Sequence, residues 1–122
     1  AFMDKRDNAF SGDNLGWRLE TIVYLELLRR KATTDNDIYY FKSRNAEADF
    51  VVCDKNKTLA VYQVSYDISS AKTRKREIKG CIASAKGTKC DNIFLITDHE
   101  SGIIEEEGYK IQVVPIWEWL VK

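Results

Sequence analysis

Proline, histidine and long hydrophobic runs are scarce in this sequence of 122 residues, which has one proline, one histidine and six glycines. So little proline and glycine excludes collagen-like chains and proline-rich linkers. The longest apolar runs have four residues, such as Phe50 to Cys53, whereas a membrane-spanning helix needs about 20. One histidine and three cysteines without a Cys-x-x-Cys pair offer too few ligands at suitable spacing for a zinc site.

Net charge is absent as well, because 19 basic residues balance 19 acidic ones. With 44% hydrophobic residues, this balance argues against intrinsic disorder and against a globally basic nucleic-acid-binding protein. The length fits a single domain over residues 1–122. Residues 1–10 are too polar for a signal peptide, and an odd number of cysteines indicates free thiols in a reducing compartment, so we expect a cytoplasmic protein.

Hydrophobic periodicity predicts an α/β (α+β) domain in the order α-β-β-β-α-β-β, with a mixed sheet of about five strands flanked by helices. The first three strands are expected to form an antiparallel meander, because short polar turns separate them. We expect strands at 37–43, 47–54, 58–66 and 92–97, and one or two more within 103–115. We expect helices at 14–31, from Ser69 or Ser70 to Lys86 with a stop at Gly87, and at 116–121.

The first predicted helix is apolar on two sides, which is typical of a helix sandwiched inside a domain. One side has Leu15, Leu19, Ile22, Val23 and Leu27, and the other has Trp17, Tyr24 and Leu28. Two glutamates interrupt this helix. Glu26 stands one turn before Arg30, a spacing that suits a structural ion pair, and the sequence favours such a pair less for Glu20.

Polar residues also interrupt two of the predicted strands. Asp49 precedes an apolar run and Gln63 lies within another, and the alternation of a strand places Glu47 with Asp49 and Gln63 with Ser65. An i, i+2 pair of this kind is most often a solvated strand face. The apolar setting favours burial instead, and a buried carboxylate needs a cation, a metal or an amide to compensate it.

The second predicted helix has a basic stripe beside an apolar one. Its cations project within an arc of roughly 100° and are Lys72, Lys75, Arg76, Lys79 and Lys86. Such a stripe is either the solvated face of an amphipathic helix or a surface that follows the phosphates of nucleic acid. The opposing acids, Glu105 to Glu107 among them, come near the C-terminus, so zero net charge is compatible with a polyanion-binding face.

Three segments occur in a familiar order: GWRLETIVYLEL at 16–27, EADFVV at 47–52 and YQVSYD at 62–67. This set resembles the C-terminal domain of unknown function that follows the ATPase core in prokaryotic AAA+-type ATPases, over most of the chain. That domain is similar in fold to the PD-(D/E)xK, or restriction-endonuclease-like, superfamily. The resemblance implies a nucleic-acid partner, Mg²⁺ as cofactor and an ATPase core as partner, and we expect the chain to be a piece of a longer ATPase. The chain itself has no glycine-rich phosphate loop.

The resemblance assigns the metal-binding and catalytic positions residue by residue. Glu20 takes the helix carboxylate, Asp49 the central aspartate and Gln63 the strand glutamate, while Ser65 stands where the family has lysine. Lys42, on the neighbouring strand, is the candidate to replace that lysine. A neutral amide weakens the affinity of Glu20, Asp49 and Gln63 for Mg²⁺, and a serine cannot stabilise the charge that develops on phosphate.

The sequence therefore favours an accessory nuclease-like domain, degenerate in catalysis, that docks on nucleic acid or on the ATPase core. Two alternatives stay open. One is an active Mg²⁺-dependent phosphodiesterase that cleaves DNA, and the other is a protein-interaction domain that regulates ATP hydrolysis by the parent core. The nuclease interpretations require Glu20, Asp49 and Gln63 to share one pocket.

Overall fold

The structure is a computed structural model that describes residues 12–42 and 48–122, with the backbone alone at 12–14, 41–42 and 48–49. In chain order its elements are α1 (Gly12–Lys31), β1 (Asp37–Lys42), β2 (Ala48–Asp54), β3 (Lys57–Val64), α2 (Ala71–Thr88), β4 (Ile93–Thr97), β5 (Gly102–Glu106), β6 (Tyr109–Pro115) and α3 (Ile116–Leu120). Among the residues described, no helix is both long and apolar enough to cross a membrane.

The strands form one mixed sheet in the order β1-β2-β3-β4-β6-β5. The pairs β1·β2, β2·β3 and β5·β6 are antiparallel, whereas β3·β4 and β4·β6 are parallel. The mixed α+β class and the antiparallel meander are thus confirmed. The sheet has six strands instead of about five, because residues 103–115 turn back at Glu107 and Gly108, which both have positive φ, of 51° and 84°.

Alternation along the strands divides the core into two layers. On the α1 face of the sheet, Phe50, Tyr62 and Val64 pack with α1 and with Trp119 of α3. On the α2 face, α2 packs over β4, β5 and β6 through a second set of buried side chains, which includes Cys81, Ile82, Leu95, Ile104 and Ile111. One face of β3 is therefore covered by α1 and the other by α2. The helix that a polar residue of β3 contacts depends on the face to which that residue points.

The expectation that α1 is sandwiched inside the domain is wrong. Its inner side is buried through Leu19, Val23 and Leu27, but Trp17 is 46% exposed and Tyr24 is 40% exposed. The described part of the chain places no second layer over this outer side. An apolar pattern shows which side chains can be buried, and it does not show whether the domain supplies the cover.

The ends of α2 follow their capping chemistry. Ser70 is the N-cap, and its hydroxyl accepts a hydrogen bond from the amide of Thr73 at 3.1 Å, as expected for serine at this position. The helix continues through Gly87 to Thr88, so the predicted stop is two residues early. The left-handed residue at its end is Lys89, at φ 57°. All three cysteines are buried free thiols, as the sequence predicts.

Candidate functional site

A buried polar pair joins β3 to α2. Gln63, in β3, is 5% exposed, and its Nε2 donates a hydrogen bond of 2.9 Å to Oε1 of Glu77. Glu77 is fully buried, and its Oε2 accepts a longer bond of 3.3 Å from the guanidinium of Arg76. Burial of a carboxylate costs several kcal/mol (roughly) unless such donors compensate it. Gln63 and Arg76 therefore make it possible for the carboxylate of Glu77 to be buried between α2 and β3.

A glycine on α2 provides the room for this pair. A Cβ at Gly80 would lie 3.0 Å from Nε2 of Gln63, so any larger residue would press on the amide. On the other side of the same amide, Oε1 of Gln63 is buried and accepts no hydrogen bond from the residues described. The amide is thus closely packed on its helix side and has one unused acceptor.

The strand positions predicted for the site are neighbours in the backbone. Asp49 is the register partner of Gln63 in the β2·β3 pair, and its side chain lies outside the described residues. Ser65 is 3% exposed, and its amide donates a hydrogen bond of 3.0 Å to the carbonyl of Ile96 on β4. Lys42 ends β1 opposite Ala48, and its side chain is also outside the described residues. The catalytic roles of Asp49 and Lys42 stay predictions.

Glu20 lies on the other face of the sheet. It is 5% exposed on α1, beside Tyr40 of β1. Burial raises the pKa of the Tyr40 phenol, and the negative charge of Glu20 raises it further. The sequence places Glu20 and Gln63 in a common pocket, whereas the structure places the sheet between them. The reason is the alternation of β3, in which Tyr62 and Val64 face α1 and Gln63 faces α2.

Two of the Mg²⁺ ligands that the restriction-endonuclease resemblance implies, Glu20 and Gln63, do not come together, and the side chain of the third, Asp49, lies outside the described residues. Glu20 and Gln63 approach from opposite faces, and the amide of Gln63 already binds Glu77. Among the side chains that the structure describes, no group of three histidines, cysteines, aspartates or glutamates is placed to hold a metal ion. Binding of Mg²⁺ at these positions stays a prediction.

The basic stripe of α2 is exposed, and its cations differ in how they are paired. Lys72, Lys75 and Lys79 are exposed, and no acid of the described residues lies within salt-bridge distance of them. Arg76 contacts Glu77, and Lys86 lies 3.1 Å from Glu107 of the β5–β6 turn. We call Lys72, Lys75, Arg76 and Lys79 the basic face. Lys86 is left out of this face because its charge is paired with Glu107.

The start of α2 adds to this potential. Its first turn contains no acidic residue, and the helix as a whole has six basic residues against one acidic residue. Backbone amides at a helix N-terminus and the helix dipole both favour a bound anion. Lys72 lies in this first turn, so side-chain and backbone charges of the same sign meet there.

Sequence reasoning missed Glu77 as part of the site. The signal is nevertheless present in the helical projection: at 100° per residue, Glu77 aligns with Cys81 and Ser84 and stands away from the lysines. Its place on the buried side is therefore readable from the sequence. Its partner Gln63 is 14 residues away on another element, and only the packing of α2 on β3 reveals the pair.

The other buried glutamate of α1 has a structural role, as expected from its spacing to Arg30. Oε2 of Glu26 accepts a hydrogen bond of 2.7 Å from Arg30, and its two oxygens also accept from Arg29. These bonds, led by that from Arg29, hold the pKa of Glu26 at about 2. Nη2 of Arg30 also donates a hydrogen bond of 2.7 Å to the carbonyl of Trp119, and Cζ of Arg30 lies 4.4 Å from the centroid of the Trp119 ring. The ion pair therefore connects α1 to α3.

Comparison with known proteins gives a family without an assigned role. The profile described as "Domain of unknown function (DUF4143)" matches residues 15–119. An uncharacterised protein of Methanocaldococcus jannaschii is 35% identical over 112 residues, which cover 87% of this chain and 25% of that protein. The chain thus spans about a quarter of the length of this curated relative. No solved structure matches the chain significantly.

Proposed function

The chain belongs to the DUF4143 family of domains of unknown function, so we propose its role from its own residues and not from the activity of a relative. The domain docks on the phosphate backbone of nucleic acid through the basic face of α2, without metal-dependent cleavage. The observation on which this proposal rests is the row of three exposed lysines, Lys72, Lys75 and Lys79, none of which has a described acid within salt-bridge distance.

The spacing of these lysines suits an extended polyanion. They follow one another at about one helical turn, which is roughly 5.4 Å along the axis. Each lysine that neutralises a phosphate releases counterions, so affinity gained in this way falls steeply with salt. Since the net charge of the chain is zero, attraction to nucleic acid would depend on this face and not on the whole molecule.

The restriction-endonuclease-like fold is the second part of the proposal. An antiparallel meander, a helix and a parallel strand in the order β1-β2-β3-α2-β4 support it. The proposed loss of cleavage follows from two substitutions relative to the PD-(D/E)xK superfamily. Gln63 replaces an acid and is hydrogen-bonded to Glu77, and Ser65 replaces the lysine. A nuclease fold that keeps only its docking surface fits these substitutions.

A longer polypeptide is the proposed context. Three quarters of the Methanocaldococcus relative lie outside the region that matches this chain, which supports an accessory domain attached to a larger protein. We propose that the attached part is the core of an AAA+-type ATPase, in line with the resemblance of the three sequence segments, and that the protein works in the cytoplasm. The domain would then bring the ATPase to nucleic acid.

The direct test is the binding of a short fluorescent DNA duplex, followed by anisotropy between 50 and 200 mM salt (roughly the range over which phosphate contacts are lost). The triple variant Lys72→Gln/Lys75→Gln/Lys79→Gln should bind at least about tenfold more weakly. Its salt slope should decrease by up to about 2.7, at about 0.9 for each phosphate contact. The matched control is Lys55→Gln/Lys57→Gln/Lys89→Gln, which removes the same charge from exposed positions outside α2.

Equal weakening by the two triple variants, or no binding by the unmodified chain, would contradict docking through α2. Cleavage of the duplex in Mg²⁺ or Mn²⁺ that disappears in Asp49→Ala would show an active phosphodiesterase instead. If neither binding nor cleavage occurs and the domain changes ATP hydrolysis by its parent core, a protein-interaction role replaces both.

A further inference from the structure

One edge of the sheet and the outer side of α1 form a continuous apolar surface. Within the described ranges, β1 has a neighbour on one side only, and its Tyr39 and Tyr40 are 49% and 46% exposed on opposite faces of the sheet, with Tyr40 on the α1 face. The ring centroid of Tyr24, on α1, lies 6.2 Å from that of Tyr40. Trp17 and Leu28 project within roughly 40° of Tyr24 and continue the surface along the helix. We call these five residues the β1–α1 surface.

The opposite edge of the sheet is built differently. β5 has only five residues, and Glu105 and Glu106 are exposed along it, with Glu107 in the turn that follows. Charged side chains and short length are the usual protection of an edge strand against pairing with another chain. β1 has its charges at its two ends, Asp37 and Lys42, and only apolar or aromatic residues between them. The backbone groups on its outer side therefore suit a further strand.

We propose that the β1–α1 surface binds a second copy of this chain, with the two β1 strands antiparallel across a twofold axis normal to the sheet. Such an axis keeps the α1 face of both copies on one side, so a residue pairs only with residues of its own face. If the axis passes beside Tyr39 or Tyr40, that tyrosine meets its own counterpart. Aromatic pairs opposite each other stabilise a pair of strands, and the stripes of the two α1 helices approach each other above them.

The area of the surface agrees with a stable dimer. Tyr24, Tyr39, Tyr40 and Trp17 expose 40–49% of their area, and Leu28 exposes 39%. At roughly 150–250 Å² for each aromatic side chain, the five residues expose about 400 Å² of apolar area. A standard interface buries about 800 Å² per partner, of which somewhat more than half is apolar. The exposed patch is therefore of the size that one copy contributes to such an interface.

The dimer would add a second basic face to the proposed binding of nucleic acid. Only this consequence of the dimer rests on the proposed function. α2 packs on the other face of the sheet, so the twofold axis brings both basic faces to the same side. α2 lies over the middle strands, and with strands about 4.8 Å apart the two α2 helices would be roughly 30 Å apart. One turn of a DNA duplex is about 34–36 Å. The two basic faces would then contact one duplex about a turn apart.

Sedimentation equilibrium of the whole chain, without nucleic acid, tests the dimer between about 1 and 100 μM, the range of typical weak to moderate homodimers. The unmodified chain should be dimeric at the upper end. Tyr40→Lys places a charge on the edge, and Leu28→Lys places one on the helix stripe; each should raise the dimer dissociation constant at least tenfold. Both sites are 39–46% exposed, so the domain should still fold, which circular dichroism checks. Ile103→Lys, at the 68% exposed position on β5, is the matched control and should leave the dimer unchanged.

Several results would overturn the inference. They are a monomer at all concentrations, a dimer that both lysine variants leave intact, and a dimer weakened as much by Ile103→Lys as by Tyr40→Lys. A monomer that becomes a dimer only when residues 1–11 are deleted would also overturn it, because the edge would then be covered by the chain itself. A monomer that binds duplex through α2 leaves the proposed function in place, whereas a dimer that binds no duplex removes that function and keeps the dimer.

Discussion

Gln63 donates a hydrogen bond of 2.9 Å from Nε2 to Oε1 of Glu77, and both side chains are buried between β3 and α2. The amide nitrogen of Gln63 is the donor in this bond and the carboxylate oxygen of Glu77 is the acceptor. A buried carboxylate at position 77 therefore depends on a donor at position 63, which the amide supplies. This dependence explains how a glutamine fits where the resembling family has an acid.

Gln63→Glu should destabilise the fold. The change places two carboxylates within hydrogen-bond distance in a buried setting, and loss of a buried charge's partner costs about 3 kcal/mol. Urea denaturation at pH 7 measures the loss. The double variant Gln63→Glu/Glu77→Gln reverses the roles of donor and acceptor and should recover most of the stability. If the double variant is no more stable than the single one, the pair does not hold β3 and α2 together.

Gly80→Ala should fail to stabilise α2, although alanine is the better helix former by about 1 kcal/mol. Its Cβ would meet Nε2 of Gln63 at 3.0 Å and disturb the bond to Glu77. The matched control is Gly87→Ala in the same helix, where a Cβ meets nothing within 4 Å. Thermal unfolding should show Gly87→Ala more stable than the unmodified chain and Gly80→Ala no more stable than it. Equal stabilisation by both changes would mean that the side-chain amide of Gln63 moves away from the new Cβ without loss of stability.

The ion pair of Glu26 should make stability depend on pH in acid. The pKa of Glu26 is lowered to about 2 in the folded chain, against the ordinary value of 4.5 that a glutamate has in the unfolded chain. The stabilisation is therefore complete above about pH 4.5 and is lost as the pH falls towards 2. Because Arg29 is 69% exposed, solvent screening reduces it to about 1 kcal/mol.

Urea denaturation of the Glu26→Gln variant checks this. The difference from the unmodified chain should be present at pH 7 and should vanish near pH 2. Glu118→Gln, which removes the exposed pair with Lys122, serves as the control and should change stability by less than about 0.5 kcal/mol. A pH-independent difference for Glu26→Gln would contradict the ion pair and point to packing alone.

Lys86 should contribute little to nucleic-acid binding, because Glu107 lies 3.1 Å from its Nζ. Lys86→Gln should weaken duplex binding less than Lys79→Gln does, although both remove one charge from the same helix. Glu107→Gln should strengthen binding by a few-fold, since it frees the lysine. Anisotropy titrations at one salt concentration compare the three variants. If Lys86→Gln weakens binding as much as Lys79→Gln, the pair with Glu107 opens in the complex.

Local patterns in the sequence account for most of the fold. Periodicity places both long helices and the first four strands to within about two residues, and Ser70 marks the start of α2 because its hydroxyl caps the free amides. The end of α2 is misplaced because Gly87 fits inside a helix, and the left-handed position is taken by Lys89 instead. Which residue becomes left-handed depends on the direction that the chain takes after the helix, and the local sequence pattern does not determine that direction.

The site was harder to predict because it depends on which face of β3 each helix covers. The period of two places Gln63 with Ser65, and it says nothing of whether α1 or α2 lies above them. The sequence therefore joins Gln63 to Glu20, whereas the structure joins it to Glu77. The basic face of α2 needed no such knowledge, since its exposure follows from the apolar stripe that lies beside it on the same helix.

Burial of all three thiols has a practical consequence. Cys53 lies in β2, Cys81 in the middle of α2 and Cys90 just beyond that helix, and none is cross-linked. A bulky alkylating reagent can reach each sulfur only when its own surroundings open. The three modification rates would therefore report separately on fraying at the helix end, on detachment of the helix and on separation of the strands, without any label being introduced.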